Sequence, residues 1–153
     1  MFLRLIKTND SAGLTILRLM LGVVFLAHGS QKMLGMFGGS GFSATMKMFE
    51  NGQHIPPVFA FLAIAAEFFG GIGLILGLLS RVAAFGIFVN MVVAIKTVHL
   101  HNGLFMNWSG KQAGEGYEYH LLVLGMTAAI MIMGAGAFSL DGLIWHKRGY
   151  LRF

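Results

Sequence analysis

Cysteine is absent from this chain of 153 residues. A chain without cysteine cannot form disulfides, thiolate-ligated metal sites or cysteine-ligated iron–sulfur clusters, and it has no cysteine nucleophile. Any redox chemistry in which it takes part must therefore come from a bound cofactor or from a partner.

Charged residues are scarce as well. The 11 basic and 6 acidic side chains make up 11% of the sequence, with a formal net charge of +5. Soluble domains carry roughly 25% charged residues, so this chain has too few to cover a water-facing surface. Lys and Arg stand at the edges of long apolar runs and do not form one patch, which argues against a nucleic-acid partner. We expect the lipid bilayer to be the environment of this protein.

Hydrophobic residues are abundant, at 56% of the chain. They concentrate in four runs, and roughly 20 helical residues suffice to cross about 30 Å of hydrocarbon. The sequence therefore predicts an all-α integral membrane protein, a four-transmembrane-helix bundle in a single domain over residues 1–153. The predicted spans are about 14–36, 58–79, 82–100 and 119–138.

The connections between the predicted spans differ in length and composition. The segment 79–81 is so short that the second and third spans must form an antiparallel hairpin. The first outer connection begins with the glycine-rich segment 38–41. Phe42, Met46 and Phe49 follow at helical spacing, which predicts a short amphipathic helix in the membrane interface.

Basic residues flank the predicted spans unevenly. The connections on one side carry Lys47 and Lys111. The opposite side, which includes both termini, carries six basic residues: Arg4, Lys7, Arg81, Lys147, Arg148 and Arg152. Because cytoplasmic connections are rich in Lys and Arg, we expect both termini to be cytoplasmic.

Ionisable residues inside the predicted spans need a partner or a watery cavity. At 1.5 Å per residue, His28 and Glu67 lie about 21 Å and 18 Å above the cytoplasmic end, and Lys32 and Lys96 about 27 Å and 24 Å. Arg18, His28 and Lys32 share one face of the first span. With residues at the outer rim, these predict a polar pocket in the outer half of the bundle: Arg18, His28, Lys32, Glu67, Lys96, His99, Glu118 and Tyr119.

This predicted pocket has two competing interpretations. In the structural one, the carboxylates neutralise the cations and the network fixes the register of the helices. In the functional one, the same groups bind an amphiphile such as a quinone head group and pass protons. Arg18 lies two turns lower, and we expect it either to snorkel to the cytoplasmic interface or to reach upward toward Glu67. Quinone is the candidate cofactor of the functional interpretation, the residues fix no cofactor with certainty, and no catalytic residue can be assigned.

Histidine raises the further alternatives of metal and haem. His99, His101 and His120 are a weak metal-ligand set at the outer rim, since His-x-His at a helix end is not specific. Haem between helices needs facing histidines at matched depths, and His28 alone lies well inside a span. We therefore predict no metal site, with the three rim histidines as the alternative.

Glycine is frequent, with 22 residues, many of them inside the predicted spans. Gly73 and Gly77 form a small-xxx-small pair of the kind that lets helices in a membrane approach closely. The pattern favours helix packing within one chain, and a seam between the copies of a homo-oligomer is the alternative.

Several short motifs succeed one another along the chain. In order they include Arg18-Leu-x-x-Gly22, His28-Gly29-x-Gln31-Lys32, Glu67-x-x-Gly70-Gly71, Arg81-x-Ala83-Ala84, His99-x-x-Asn102-Gly103, Gly116-Tyr117-Glu118-Tyr119 and Ser139-Leu-Asp141. In their order and spacing, over nearly the whole chain, the sequence resembles the DoxX family of small four-helix membrane proteins.

The resemblance implies a multi-pass protein of the bacterial inner (plasma) membrane. Some DoxX relatives are subunits of thiosulfate:quinone oxidoreductase, and others look like membrane partners of oxidative-stress or thiol-handling proteins. The residues that match the family's polar signature are Arg18, Lys32, Glu67, Arg81, His99 and Glu118.

Residues and resemblance together lead to two hypotheses on function. The first is a redox-associated membrane subunit that binds a quinone or similar amphiphile and works with a partner redox protein or subunit. The second is a non-catalytic membrane scaffold that recruits a partner protein. The sequence leaves open whether the chain has an activity of its own.

Overall fold

A computed structural model describes residues 2–149. Within that range the chain is helical and contains no strand, so the predicted all-α class is confirmed. Its seven α-helices are α1 (Phe2–Ile6), α2 (Ala12–Leu34), α3 (Gly41–Lys47), α4 (Pro57–Leu76), α5 (Ser80–Ala94), α6 (Glu118–Met133) and α7 (Leu140–Gly149). A π turn follows α3 (Met48–Gly52), and a π turn (Ile95–His99) and a 3₁₀ turn (Leu100–Asn102) follow α5.

Three helical segments of the described chain are long and apolar enough to cross a membrane: α2, α4, and Ser80–Asn102, which is α5 with its two turns. They coincide with the first three predicted spans. The Ser11 hydroxyl accepts a hydrogen bond from the Leu14 amide at the start of α2, and Pro57 opens α4, where its fixed φ suits the first helical position.

The fourth predicted span, 119–138, contains a helix that ends early. α6 is 16 residues long, shorter than the roughly 20 residues of a typical span. Gly134 and Gly136 follow it with φ values of 96° and 79°, a backbone region that glycine alone enters readily. A Cβ on Gly134 would lie 2.6 Å from the carbonyl oxygen of Lys7. The chain therefore turns here, against the segment that precedes α2.

Four helices, α2, α4, α5 and α6, pack around one apolar core. α2 packs most extensively against α4, α5 lies between α4 and α6, and α2 contacts α6 more sparsely. The fully or nearly buried residues of this core are Leu21, Phe25, Leu74, Ala84, Ile87, Met91, Val123 and Ile130.

Glycine brings α2 and α4 together. A Cβ on Gly29 would lie 2.5 Å from the backbone of Phe68, and one on Gly71 would lie 2.5 Å from the amide nitrogen of Leu26. These glycines therefore allow contact within one chain. Gly77, half of the small-residue pair in the sequence, ends α4 instead, with φ of 66°.

Both ends of the described chain lie beside the α4–α5 connection, which we call the hairpin end. α1 contacts both α7 and α5. The Asp141 carboxylate of α7 accepts hydrogen bonds from the amides of Leu79 and Ser80, at 2.8 Å and 2.9 Å. α7 thereby caps the start of α5.

The opposite end of the bundle, the loop end, carries the connections 35–56 and 103–117. A helix is present in the first of them, as α3 and the π turn Met48–Gly52. Phe49 is buried there against Ala60 and Ile64 of α4, so this connection is packed onto the bundle.

Candidate functional site

The Lys32 ammonium of α2 and the Glu67 carboxylate of α4 form an ion pair through Glu67 Oε2. Glu67 is 5% exposed, and Lys32 is partly exposed. A carboxylate in an apolar interior is costly unless it is paired and hydrogen-bonded. The sequence placed these two residues at similar heights, and the structure brings them into contact.

Asn90 of α5 completes the hydrogen bonding of Glu67 and was not among the predicted site residues. Its Nδ2 donates to Glu67 Oε1 at 2.9 Å and approaches the Ala63 carbonyl oxygen at 3.5 Å. One carboxylate thus ties together three helices. An amide inside an otherwise apolar span was the signal available in the sequence, since such a side chain needs an internal partner.

Tyr119 lies at the start of α6. Its ring packs against the apolar core, which includes Met91, the residue after Asn90 on α5. The Tyr119 hydroxyl is buried and has no hydrogen-bond partner in the described chain. We call Lys32, Glu67, Asn90 and Tyr119 the Glu67 cluster.

His120, the residue after Tyr119 in the first turn of α6, and His99, in the π turn that follows α5, lie near the loop end. His120 is 6% exposed, and its Nδ1 is buried without a hydrogen-bond partner among the described residues. The centroids of the His99 and His120 rings are 4.1 Å apart. His99 Nδ1 lies 2.8 Å from the Glu115 carbonyl oxygen, and because that oxygen can only accept, Nδ1 carries the proton of His99.

Glu118 organises the connection 103–117 at the loop end and does not join the Glu67 cluster. Its Oε1 accepts hydrogen bonds from the Met106 amide at 2.9 Å and from Trp108 Nε1 at 3.2 Å. The Glu115 carboxylate accepts from the Asn107 amide at 2.7 Å. These bonds order the segment that covers the loop end near the two histidines.

Residues 13–100 match the sequence model of the DoxX family. The chain belongs to the DoxX family. The matched segment includes Lys32, Glu67, Asn90 and His99, whereas Tyr119 and His120 lie beyond it. Comparisons with curated proteins and with solved structures returned no match.

Arg18 of this DoxX protein lies apart from the Glu67 cluster, toward the hairpin end. It is 1% exposed and donates hydrogen bonds to backbone carbonyl oxygens, including those of Ala135 at 2.9 Å and Ile75 at 2.7 Å. It also donates to Leu74 and, at 3.2 Å, to Phe138. Arg18 therefore joins the end of α4 to the chain between α6 and α7, and its hydrogen bonds do not reach Glu67.

Arg81, which lies within the segment matched by the DoxX model, has a comparable position. Its Nη2 donates to the Lys7 carbonyl oxygen at 3.0 Å, and its Nη1 donates to the Met131 carbonyl. It ties the start of α5 to the end of α6 and to the N-terminal segment. Both arginines thus satisfy backbone carbonyls at the hairpin end.

The other predicted pocket residues do not converge on Glu67. His28 and Lys96 are exposed, and no hydrogen bond within residues 2–149 joins either of them to the Glu67 cluster. His101 is exposed and does not join the stacked pair of His99 and His120. Among the described residues, no three potential ligands are grouped so that they could hold a metal ion.

The Glu67 cluster combines several hydrogen-bonding functions above an apolar core. Lys32 offers an ammonium, Tyr119 offers a phenol O–H, and Glu67 offers a carboxylate held by an amide. A small number of convergent polar groups in apolar surroundings is typical of a small-molecule site. Such a set can bind carbonyl or hydroxyl groups of a ligand and can accept or donate a proton.

Proposed function

We propose that this DoxX protein spans the bacterial inner membrane four times, with both termini in the cytoplasm. The distribution of basic residues supports this orientation, as does the position of α1 beside α7. α6 is about 24 Å long at 1.5 Å per residue, and a locally thinner bilayer accommodates a short span at modest cost. α3 would then lie in the outer interface.

We further propose that the protein is a redox-associated membrane subunit and that it binds a quinone or a similar amphiphile at the Glu67 cluster. The supporting observations are a buried Tyr119 hydroxyl that has no hydrogen-bond partner among the described residues, and a carboxylate held by Lys32 and Asn90. A quinone presents carbonyl acceptors on an apolar ring, and a phenol donor in an apolar site suits those acceptors.

Electron transfer would then depend on a partner. The chain contains no cysteine, so the donor to a bound quinone would be a cofactor of a partner redox protein or of another subunit. A homo-oligomer of this chain is the alternative assembly, and purification of the protein in native lipid would detect it.

Purification in native lipid, followed by extraction and analysis of bound quinone, tests this function. We expect quinone to copurify with the wild-type protein and to be reduced or lost in Glu67→Gln and Tyr119→Phe. Tyr117→Phe is the matched control, because Tyr117 lies outside the Glu67 cluster. A wild-type protein without quinone, and quinone-linked reduction that is insensitive to Glu67→Gln, would contradict the proposal.

A scaffold that recruits a partner protein is the second candidate. It is supported by the outer connection, in which Glu118 holds a segment that displays Phe105 and Trp108 on the surface; Trp108 is 88% exposed. Exposed aromatic side chains on an ordered segment are typical of an interaction surface.

Crosslinking in native membranes separates the two candidates. If the scaffold function is correct, a specific partner is captured by the wild type and by Glu67→Gln, and its capture is lost in Trp108→Ser. Capture of the chain alone would count against the scaffold and leave quinone analysis to decide the first candidate.

A further inference from the structure

Two consecutive residues at the start of α6 bury a polar atom that has no hydrogen-bond partner within residues 2–149. They are the Tyr119 hydroxyl and His120 Nδ1. Buried polar atoms are nearly always hydrogen-bonded, to protein or to ordered water. Two adjacent exceptions, both in the first turn of α6, indicate that these atoms bind something outside the chain, and water fits their size and polarity.

The groups around these atoms form a continuous series. The Tyr119 ring packs against the apolar core beside Met91, the neighbour of Asn90, and its ring centroid lies 5.5 Å from that of His120. The His120 ring contacts the His99 ring at a tilt of 43°. His99 is partly exposed and is bonded to the carbonyl of Glu115, an exposed residue of the outer connection. Every member of the series after Glu67 can both donate and accept a proton.

The opposite direction offers no comparable series. Toward the hairpin end, the layer below Glu67 is the apolar core that includes Phe25, Leu74 and Ile87. On that side the hydroxyl of the buried Thr127 is bonded within its own helix, and the Arg18 guanidinium is held by backbone carbonyls. Titratable groups therefore lead from Glu67 to the loop end.

We infer that Glu67 exchanges protons with the aqueous phase at the loop end through Tyr119, His120 and His99. Each transfer breaks one O–H or N–H bond and forms another, water completes the hydrogen bonds between successive groups, and no electrons move. The inference rests on the proposed membrane placement of the Glu67 cluster and does not require quinone. If quinone binds, the loop end is the side on which its protons are taken up or released.

Hydrogen–deuterium exchange of the Glu67 carboxyl, followed by infrared spectroscopy in lipid films, tests the route. In a Lys32→Met background the buried carboxyl loses its cationic partner and is expected to be a carboxylic acid, whose C=O band shifts on deuteration. The band is assigned by its loss in Lys32→Met/Glu67→Gln. Lys32→Gln serves as a second background if Lys32→Met does not fold.

After a switch to deuterated buffer, we expect Tyr119→Phe or His120→Gln to slow the band shift by roughly a hundredfold, the lower end of what a positioned proton-transfer group contributes. Tyr117→Phe, the matched control, should leave the rate unchanged. Equal rates in Tyr119→Phe and in its background would overturn the route. Because the measurement uses no quinone, a protein that binds none can still show the route, and the two proposals fail separately.

Discussion

At the residue scale, Glu67 is the point at which three helices meet, since its carboxylate is bonded to Lys32 of α2 and to Asn90 of α5. The two contacts have different consequences. The ion pair neutralises a buried charge, whereas the Asn90 amide fixes one carboxylate oxygen and leaves the other to Lys32. Asn90 is therefore a positioning residue for the cluster.

Asn90→Leu keeps the approximate volume of the side chain but removes the donor to Glu67 Oε1. A buried acceptor left without its partner costs about 1–3 kcal/mol, so we expect the free energy of unfolding to fall by that amount. Reversible unfolding of the purified protein in mixed micelles measures it. Asn51→Leu, at an exposed asparagine, should change stability little, and an equal loss in both variants would argue against a specific role for Asn90.

Arg18 gives a second prediction at this scale. Arg18→Met leaves several carbonyl oxygens at the end of α4 and after α6 without donors, so we expect a loss of roughly 3 kcal/mol or more in the free energy of unfolding. Arg18→Lys should restore little of it, because an ammonium cannot reproduce the planar fork of the guanidinium. The same unfolding measurement applies, with Arg4→Met at an exposed arginine as the control. Full rescue by Arg18→Lys would show that charge alone matters.

How far the site could be predicted from sequence differs from residue to residue. That Glu67 has a basic partner could be predicted, because a buried charge in lipid needs one, but the sequence left Lys32, Lys96 and Arg18 as candidates for that partner. The partners of Arg18 could not be predicted, because they are backbone carbonyls, which carry no side-chain signal. Lys96 was predicted from its height alone, which does not determine which way a side chain faces. His28 was predicted on the same face of the first span as Arg18 and Lys32, but it is exposed, so that face is wider than the part of α2 that packs against the bundle.

At the element scale, the contact between α2 and α4 depends on the absence of side chains at Gly29 and Gly71. We expect Gly29→Ala to destabilise the protein by about 1–3 kcal/mol, because the added methyl group must push the two backbones apart. Gly125→Ala is the matched control, since a Cβ on that glycine of α6 meets nothing within 4 Å. Thermal unfolding of the two variants compares them directly, and equal stability would mean that the helices separate without cost.

The long helices were predictable at this scale because apolar runs of sufficient length have few other structures available in lipid. The end of α6 was not, for a physical reason. The segment from Gly134 to Ala137 contains only glycine and alanine, so no charged or polar side chain marks the point at which the backbone turns at positive φ. The contact of Gly134 with the Lys7 carbonyl is a tertiary interaction that no local pattern announces.

At the scale of the whole molecule, the lack of cysteine makes the proposed topology directly testable, because a single introduced thiol has no competitor. Asn9 and Ser109 are both exposed, the first near the hairpin end and the second in the connection at the loop end. In intact cells, a membrane-impermeant maleimide should label Ser109→Cys. It should label Asn9→Cys only after the inner membrane is permeabilised. The reverse pattern would invert the bundle, and the Glu67 cluster and its proton route would then open toward the cytoplasm. Labelling of both sites in intact cells would place the two ends on one side of the membrane and would require an even number of crossings between residues 9 and 109. The proposal has three crossings there, by α2, α4 and the helical segment Ser80–Asn102, and the charge asymmetry places the hairpin end inside.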